Sequence, residues 1–239
     1  MLILAFDTAT PAVTVALHDG TRAIARESAV DSRRHGELLA PAIARVLASA
    51  GVVPGDLTAI GVGVGPGPYT GLRAAVVTAQ VLASALDITV DGICTLDVIA
   101  ARARLAAGGE FIVATDARRR EVYWARYSAA GERLSGPDVS LPAELPAGYP
   151  MAGDGAMLYA EIGGLADGGE VELIEPRYPD AAVLAAMVAE RLAKGAERSL
   201  HRSDPDPPEP LYLRRPDARE PGRPKRVTPA VASAKVVPR

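Results

Sequence analysis

Cysteine and aromatic residues are scarce in this 239-residue chain. Cys94 is the only cysteine, which excludes an intrachain disulfide and any metal site built on a pair of cysteines. Aromatic residues make up 4% of the sequence and hydrophobic residues 49%, so a packed core must consist mainly of alanine, valine, leucine and isoleucine. This length and composition predict one large folded domain or two small lobes.

Histidine is also rare. The three histidines are His18, His35 and His201, and no two of them stand four residues apart, as a pair of metal ligands on one helix face would. No serine or cysteine has an evident basic partner that would make it a nucleophile. We therefore expect no metal site and no catalytic residue in this chain.

Long hydrophobic runs are absent as well. No stretch reaches the roughly 18 apolar residues of a membrane span, and the most apolar candidate, residues 74–86, contains Thr78, Gln80 and Ser84. The opening residues MLILAFD have no basic region and reach an acid at Asp7, which is not the pattern of a signal peptide. Together with the single cysteine, this predicts a reducing, cytoplasmic location.

The charge of the chain is unevenly distributed. The formal net charge is −3, but residues 221–239 carry five positive charges and no acid, so the rest of the chain carries −8. Because an acidic surface repels phosphate backbones, we expect no strong RNA binding by the body of the protein. The basic tail leaves two interpretations open, an RNA contact or a solvated segment.

Hydrophobic periodicity predicts two similar halves. Each half begins with an apolar strand that ends in an acid, Asp7 or Asp116, and continues with an alternating strand and a turn. Alternation of strands with helices favours parallel crossovers in an α/β fold. The predicted strands are 2–7, 13–18, 22–28, 57–65, 88–92, 110–117, 121–131 and 171–175. The predicted helices are 35–50, which contains Pro41, 70–86, which Thr70 would cap, 95–107 and 180–194.

The sequence thus predicts two lobes followed by a tail. The first lobe would span residues 1–100 and the second 101–200. Proline is concentrated after residue 202 and removes backbone donors, so residues 201–239 are predicted to be a basic, largely disordered tail.

The most specific motif is GPGPYTGLR at residues 65–73. Glycines in a strand-to-helix loop permit close backbone approach, and the following helix start favours anions. With this motif the chain resembles the TsaB (YeaZ) family. Further segments that resemble the family are FDTAT (6–10), RRHGELLAPAI (33–43), DARRREVYWARY (116–127), AGDGA (152–156) and PLYLRRPDA (210–218).

The resemblance implies a fold and a role. It implies a two-lobed, actin-like (ribonuclease H-like) fold with duplicated lobes, as in the catalytic subunit TsaD. It also implies a non-catalytic subunit of the complex that adds threonylcarbamoyl to the adenosine beside the tRNA anticodon. The expected partners are TsaD in a heterodimer, the ATPase TsaE, and tRNA through the complex, with a homodimer when the chain is alone.

Two sites follow as expectations. The first-lobe helices would supply the partner surface, through Leu38, Leu39, Ile43, Val46, Leu72, Val76, Ala79 and Leu82. The glycine loop has two interpretations, a rigid turn or a phosphate loop in weak contact with ATP, ADP or Mg²⁺; no other cofactor is expected. The loop residues are Asp7, Gly65, Gly67, Thr70, Gly71 and Arg73.

Two other functions remain as alternatives. An active ATPase or small-molecule kinase of the same fold would need a second phosphate loop, for which Gly153-Asp154-Gly155 is a poor match. A glycoprotease-type metallopeptidase would need metal ligands that the histidines do not provide.

Overall fold

Two mixed β-sheets form the framework of the protein. The computed structural model describes residues 1–165, 170–198 (backbone only for 196–198) and 208–214. In the first sheet the strand order is β3-β2-β1-β4-β5, with β1, β2 and β3 antiparallel and β4 and β5 parallel to β1. These strands are β1 (Ile3–Asp7), β2 (Ala12–His18), β3 (Ala23–Val30), β4 (Ala59–Gly63) and β5 (Thr89–Ile93).

The second sheet repeats the antiparallel meander of the first. Its order is β8-β7-β6-β9, and β6 pairs parallel with β9. Asp7 and Asp116 end the equivalent strands β1 and β6, as the sequence predicts. The strands are β6 (Phe111–Asp116), β7 (Val122–Tyr127), β8 (Arg133–Ser140) and β9 (Met151–Ala152). The predicted strand 171–175 is present only as a single β-bridge between Leu173 and Met151.

The helices pack apolar stripes against both sheets. On one face of the first sheet, α1 and α2 bury their leucines, valines and alanines against β1, β2 and β4. On the opposite face lies α5, and α4 packs on the second sheet. The bounds are α1 (His35–Ala50), α2 (Tyr69–Leu86), α3 (Thr95–Ala107), α4 (Asp154–Ala160) and α5 (Ala181–Arg198).

The start of α2 differs from the sequence prediction. Pro68, rather than Thr70, precedes the first helical residue of α2, and no side chain caps that end. The expected cap at Thr70 is therefore wrong, because Thr70 already lies within the first turn. Helix α1 begins at His35 and contains Pro41, as the predicted helix 35–50 does.

Packing crosses the predicted lobe boundary at residue 100. Helix α3 spans that residue and packs mainly against β6 of the second sheet, whereas α5 returns to the first sheet through Leu184 and Val188. The final helix therefore joins the second half of the chain to the first. Of the predicted tail, residues 208–214 are ordered and packed against the body, and the remainder of 201–239 lies outside the described residues.

Candidate docking face and glycine loop

Asp7 is fully buried at the carboxyl end of β1. Its Oδ1 accepts a hydrogen bond from the Ala9 amide at 2.7 Å, and its Oδ2 accepts one from the Thr95 hydroxyl at 2.7 Å. Burial raises the pKa of this carboxyl, while the bonds from Ala9 and Thr95 lower it. A Cβ on Gly63 would overlap the carboxylate. Asp7 thus ties β1, β4 and α3 together and is not presented to a ligand.

The chain itself fills the glycine loop of residues 65–73. A Cβ on Gly67 would overlap the carbonyl oxygen of Ala9, and one on Gly71 would overlap that of Thr8. The Thr8 hydroxyl donates to the Gly71 carbonyl at 2.6 Å. The backbone of the turn after β1 is therefore packed directly against the loop at Gly67 and Gly71.

Gly65 takes part in the same closure. Its backbone has φ +94°, and its amide donates to the Thr95 hydroxyl at 3.2 Å while the Thr95 amide donates to its carbonyl at 2.7 Å. The structure therefore brings Asp7, Gly65, Gly67 and Gly71 together, as the phosphate-loop hypothesis requires, but as a closed packing unit. The other two predicted members of the loop, Thr70 and Arg73, lie on α2 and are exposed.

His35 is buried at the start of α1, where its Nε2 lies 2.8 Å from the carbonyl oxygen of Thr10. This contact holds α1 against the turn after β1, which is the turn that packs on the glycine loop. Within the described residues, no three histidine, cysteine, aspartate or glutamate side chains are grouped as metal ligands.

A cavity of about 540 Å³ lies against β2 and β3. Its lining includes Thr14, Arg26, Arg102 and Tyr178, but no residue of the glycine loop. The loop and this cavity therefore do not form one nucleotide site.

The second half of the chain has its own buried acid. Asp154, at the start of α4, is 4% exposed, and one of its carboxylate oxygens lies 3.4 Å from the Asp116 amide. Burial raises its pKa from the usual 3.8 to about 6. The buried, unpaired Thr115 hydroxyl belongs to the adjacent strand β6. Because it is buried, the Asp154 carboxyl is costly to ionise in the folded state.

We expect Asp154→Asn to stabilise the protein at neutral and higher pH. The folded carboxyl keeps a proton that the unfolded chain has lost, so wild-type stability falls as pH rises from about 4 to about 6. The side-chain amide of the variant stays neutral, and its oxygen can still accept from the Asp116 N–H. At about pH 8 the free energy of unfolding should therefore rise by about 3 kcal/mol. Urea denaturation across this range measures it. Equal stabilities at pH 8 would contradict it.

The predicted partner residues lie mostly inside the chain. Leu38 and Leu82 are partly buried, and the other six residues are in the core beneath α1 and α2, each 8% exposed or less. A side chain in the core has no surface to offer a partner, so the interface assignment needs correction. The six are Leu39, Ile43, Val46, Leu72, Val76 and Ala79.

The outer sides of the same helices carry a second set of residues. Helix α1 exposes small residues at four-residue spacing, and α2 exposes an aromatic, a cation and two valines at the same spacing. Tyr69, Val77 and Val81 are 43%, 49% and 61% exposed. We call these eight residues the α1–α2 face: Gly36, Ala40, Ala44 and Ala48 on α1, and Tyr69, Arg73, Val77 and Val81 on α2.

This face was missed because both sides of the two helices are apolar. Small side chains allow a second helix to approach closely, and exposed valines are typical of a surface that is covered in an assembly. The signal in the sequence was the repeat of small residues every four positions along α1.

Among the helices of the described residues, none is long and apolar enough to cross a membrane.

Comparison with known proteins identifies relatives along the whole described body. A family model described as "TsaD: tRNA N6-adenosine threonylcarbamoyltransferase" matches residues 27–184. An uncharacterized protein of Mycobacterium tuberculosis is 42% identical over 220 residues, covering 91% of this chain and 93% of its own length. The tRNA threonylcarbamoyladenosine biosynthesis protein TsaB of Escherichia coli is 38% identical over 129 residues, covering 53% of this chain and 55% of that protein.

Solved structures agree with the sequence relatives. YeaZ from Pseudomonas aeruginosa superposes with a TM-score of 0.69 at 31% identity, covering 82% of this chain and 93% of that one. An ADPNP-bound activator of 2-hydroxyisocaproyl-CoA dehydratase from Clostridium difficile has a TM-score of 0.50 at 10% identity, covering 85% and 100%, and is similar in fold alone. The predicted α/β, actin-like fold is confirmed. This chain matches the TsaD-type family model and belongs to the TsaB (YeaZ) family.

Proposed function

We propose that this chain is a non-catalytic subunit in the synthesis of N6-threonylcarbamoyladenosine on tRNA. The relatives named TsaB are biosynthesis proteins for this modified nucleoside. The observation that carries the proposal is the exposed α1–α2 face, on which three large side chains, Tyr69, Val77 and Val81, stand in one row. Such a row on a folded surface favours a protein partner.

The partner in this proposal is a TsaD-type subunit. The match of this chain to the TsaD family model supports a partner of similar fold, whose own first-lobe helices would meet α1 and α2. The small residues Ala40, Ala44 and Ala48 allow close helix packing, while Val77 and Val81 supply apolar area. Without that partner, the same face would pair two copies of this chain in a symmetric dimer.

A supporting role fits the closed glycine loop. Ala9 and Thr8 fill the space at Gly67 and Gly71, and Asp7 is buried among its own hydrogen bonds. The residues that would hold a phosphate therefore stabilise the fold of this subunit. In the proposed complex, TsaD carries the chemistry, TsaE joins as the ATPase, and tRNA binds mainly through the assembly, in the cytoplasm. Any contact of this chain with ATP, ADP or Mg²⁺ would be weak and at the subunit boundary.

Reconstitution tests the proposal directly. We expect tRNA to acquire threonylcarbamoyl when this chain is combined with TsaC, TsaD, TsaE, ATP, threonine, bicarbonate and tRNA, and to remain unmodified when this chain is omitted. The chain with TsaC and tRNA, but without TsaD, is the control and should give no product. Mass spectrometry of nucleosides from digested tRNA measures the product.

Two results would contradict the proposal. One is full product formation in the mixture that lacks this chain. The other is steady ATP turnover by the purified chain alone, which would favour the ATPase or kinase alternative. Because Asp7 is buried and the backbone of Ala9 and Thr8 packs against the glycine loop, we expect neither of these two results.

A further inference from the structure

Residues 208–214 run as a strap across the body of the protein, far in sequence from everything they touch. On the first-lobe side, the Gln80 amide nitrogen donates to the Pro208 carbonyl at 2.9 Å, and the Leu211 amide donates to the Val64 carbonyl at 2.8 Å. Pro208 also packs directly over Gly92. The strap is thus attached to the ends of β4 and β5 and to α2.

The other end of the strap is attached to the second half of the chain. The Arg214 guanidinium donates to the Ala117 carbonyl at 2.9 Å and pairs with the Glu121 carboxylate. Leu211 packs against the apolar cluster that includes Phe111 and Tyr127. The Leu211 amide holds the strap before Tyr212 and the Arg214 side chain holds it after, so the strap places Tyr212 beside α2 before any partner arrives.

Tyr212 emerges beside the first turn of α2. Its ring stacks on the ring of Tyr69, with 5.0 Å between centroids and 29° between planes. The Arg73 guanidinium lies 5.0 Å from the centroid of the Tyr69 ring, and its Nη1 donates to the Tyr69 hydroxyl at 2.8 Å. Tyr212 remains 41% exposed and Tyr69 43%. Two tyrosines and an arginine therefore form one exposed cluster.

This cluster heads the row of α2 on the α1–α2 face. Tyr69 and Arg73 are followed by Val77 and Val81 at four-residue steps, so Tyr212 adds a fifth large side chain to the same row. Tyrosine and arginine, together with tryptophan, are enriched among the residues that dominate binding energy at interfaces. Preorganisation by the strap reduces the conformational entropy that binding would otherwise cost.

We propose that Tyr212 is an anchor of the partner interface, so that the C-terminal strap is part of the docking surface. This inference rests on the proposed function and names the TsaD-type subunit as the occupant, because the cluster is continuous with the α1–α2 face. No carboxylate among the described residues pairs with Arg73. The matching segment of the partner therefore carries an acidic side chain for Arg73 beside aliphatic side chains for the two rings.

The test compares Tyr212→Ala with Tyr212→Phe in the full-length chain. Loss of the ring should weaken binding of the TsaD-type subunit at least tenfold, whereas Phe keeps the ring and should bind as wild type. Leu105→Ala is the control, since Leu105 is 77% exposed on α3, outside the face. Calorimetry measures the dissociation constant, and the melting temperature shows whether each variant is folded.

A second variant keeps the inference testable if Tyr212→Ala loosens the strap. Arg73→Glu changes an exposed residue of α2, and it should weaken the same binding at least tenfold by opposing the acidic partner. Wild-type affinity of both variants, with binding lost in Val81→Glu, would refute the anchor and leave the proposed function standing. Wild-type affinity of all three would refute both. A loss confined to self-association, with TsaD binding unchanged, would refute the choice of occupant.

Discussion

Val81→Glu should fold normally and lose its partner, while Val76→Glu should fail to fold. The two valines lie five residues apart on α2, but Val81 is 61% exposed and Val76 is 1% exposed in the core under α1. Surface substitutions usually change stability by less than about 0.5 kcal/mol, and glutamate is a good helix former. At position 81 the charge would instead meet the apolar centre of the proposed interface. We expect the dissociation constant for the TsaD-type subunit to rise at least about 100-fold.

Val76→Glu tests whether burial has been assigned correctly. A carboxyl at this site would be either ionised without a partner or protonated without a hydrogen bond, and the apolar contacts of valine would also be lost. We therefore expect the free energy of unfolding to fall by at least about 4 kcal/mol, which is a large part of the roughly 5–15 kcal/mol of an ordinary domain.

Circular dichroism on heating and size-exclusion chromatography with the partner distinguish the two variants. If Val81→Glu formed the complex with wild-type affinity, the α1–α2 face would not be the docking surface. A folded Val76→Glu with normal melting would mean that the packing of α2 on the first sheet is wrong.

Gly67→Ala should destabilise the protein by about 3 kcal/mol, at the upper end of what an added methyl group costs in a packed site. The new Cβ would overlap the Ala9 carbonyl oxygen, and this backbone atom cannot move without shifting the turn that Asp7 and Thr8 hold in place. For a chain of this size the loss corresponds to roughly 6–12 °C in melting temperature.

Gly55→Ala is the matched control, because nothing lies within 4 Å of a Cβ at that position. It should melt like wild type. An open phosphate loop would tolerate the methyl group at Gly67 and lose only nucleotide affinity. Normal melting of Gly67→Ala would therefore contradict the closed loop and restore the phosphate interpretation.

The strand and helix pattern was accessible from the sequence because it depends on local periodicity. The apolar strands ending in Asp7 and Asp116, the meanders that follow them, and the helices over 35–50 and 70–86 all have the predicted type and nearly the predicted bounds. The repeat of this order in both halves indicated an α/β fold with two similar lobes, and the resemblance to the TsaB (YeaZ) family implied the actin-like fold. The GPGPYTGLR motif was enough to predict the family.

Which side of each helix is buried could not be predicted in the same way. On α1 the leucine row and the alanine row are both apolar, so periodicity shows two faces without saying which one meets the sheet. The larger side chains fill the core because they remove more area from water, and the small residues are left outside. Leu39 and Val76 were therefore predicted to lie at the partner surface, although they are buried and it is their neighbours Ala40 and Val77 that are exposed.

The chemistry of the glycine loop and the position of the C-terminal segment were decided only by the tertiary structure. Glycine at position 67 permits close approach, but whether a phosphate or the backbone of Ala9 makes that approach depends on a turn 58 residues earlier in the chain. Tyr212 meets Tyr69 across 143 residues, and no local pattern encodes such a contact. Sequence periodicity determined the helices and strands and the motifs indicated the family, whereas long-range packing determined which surfaces remained free.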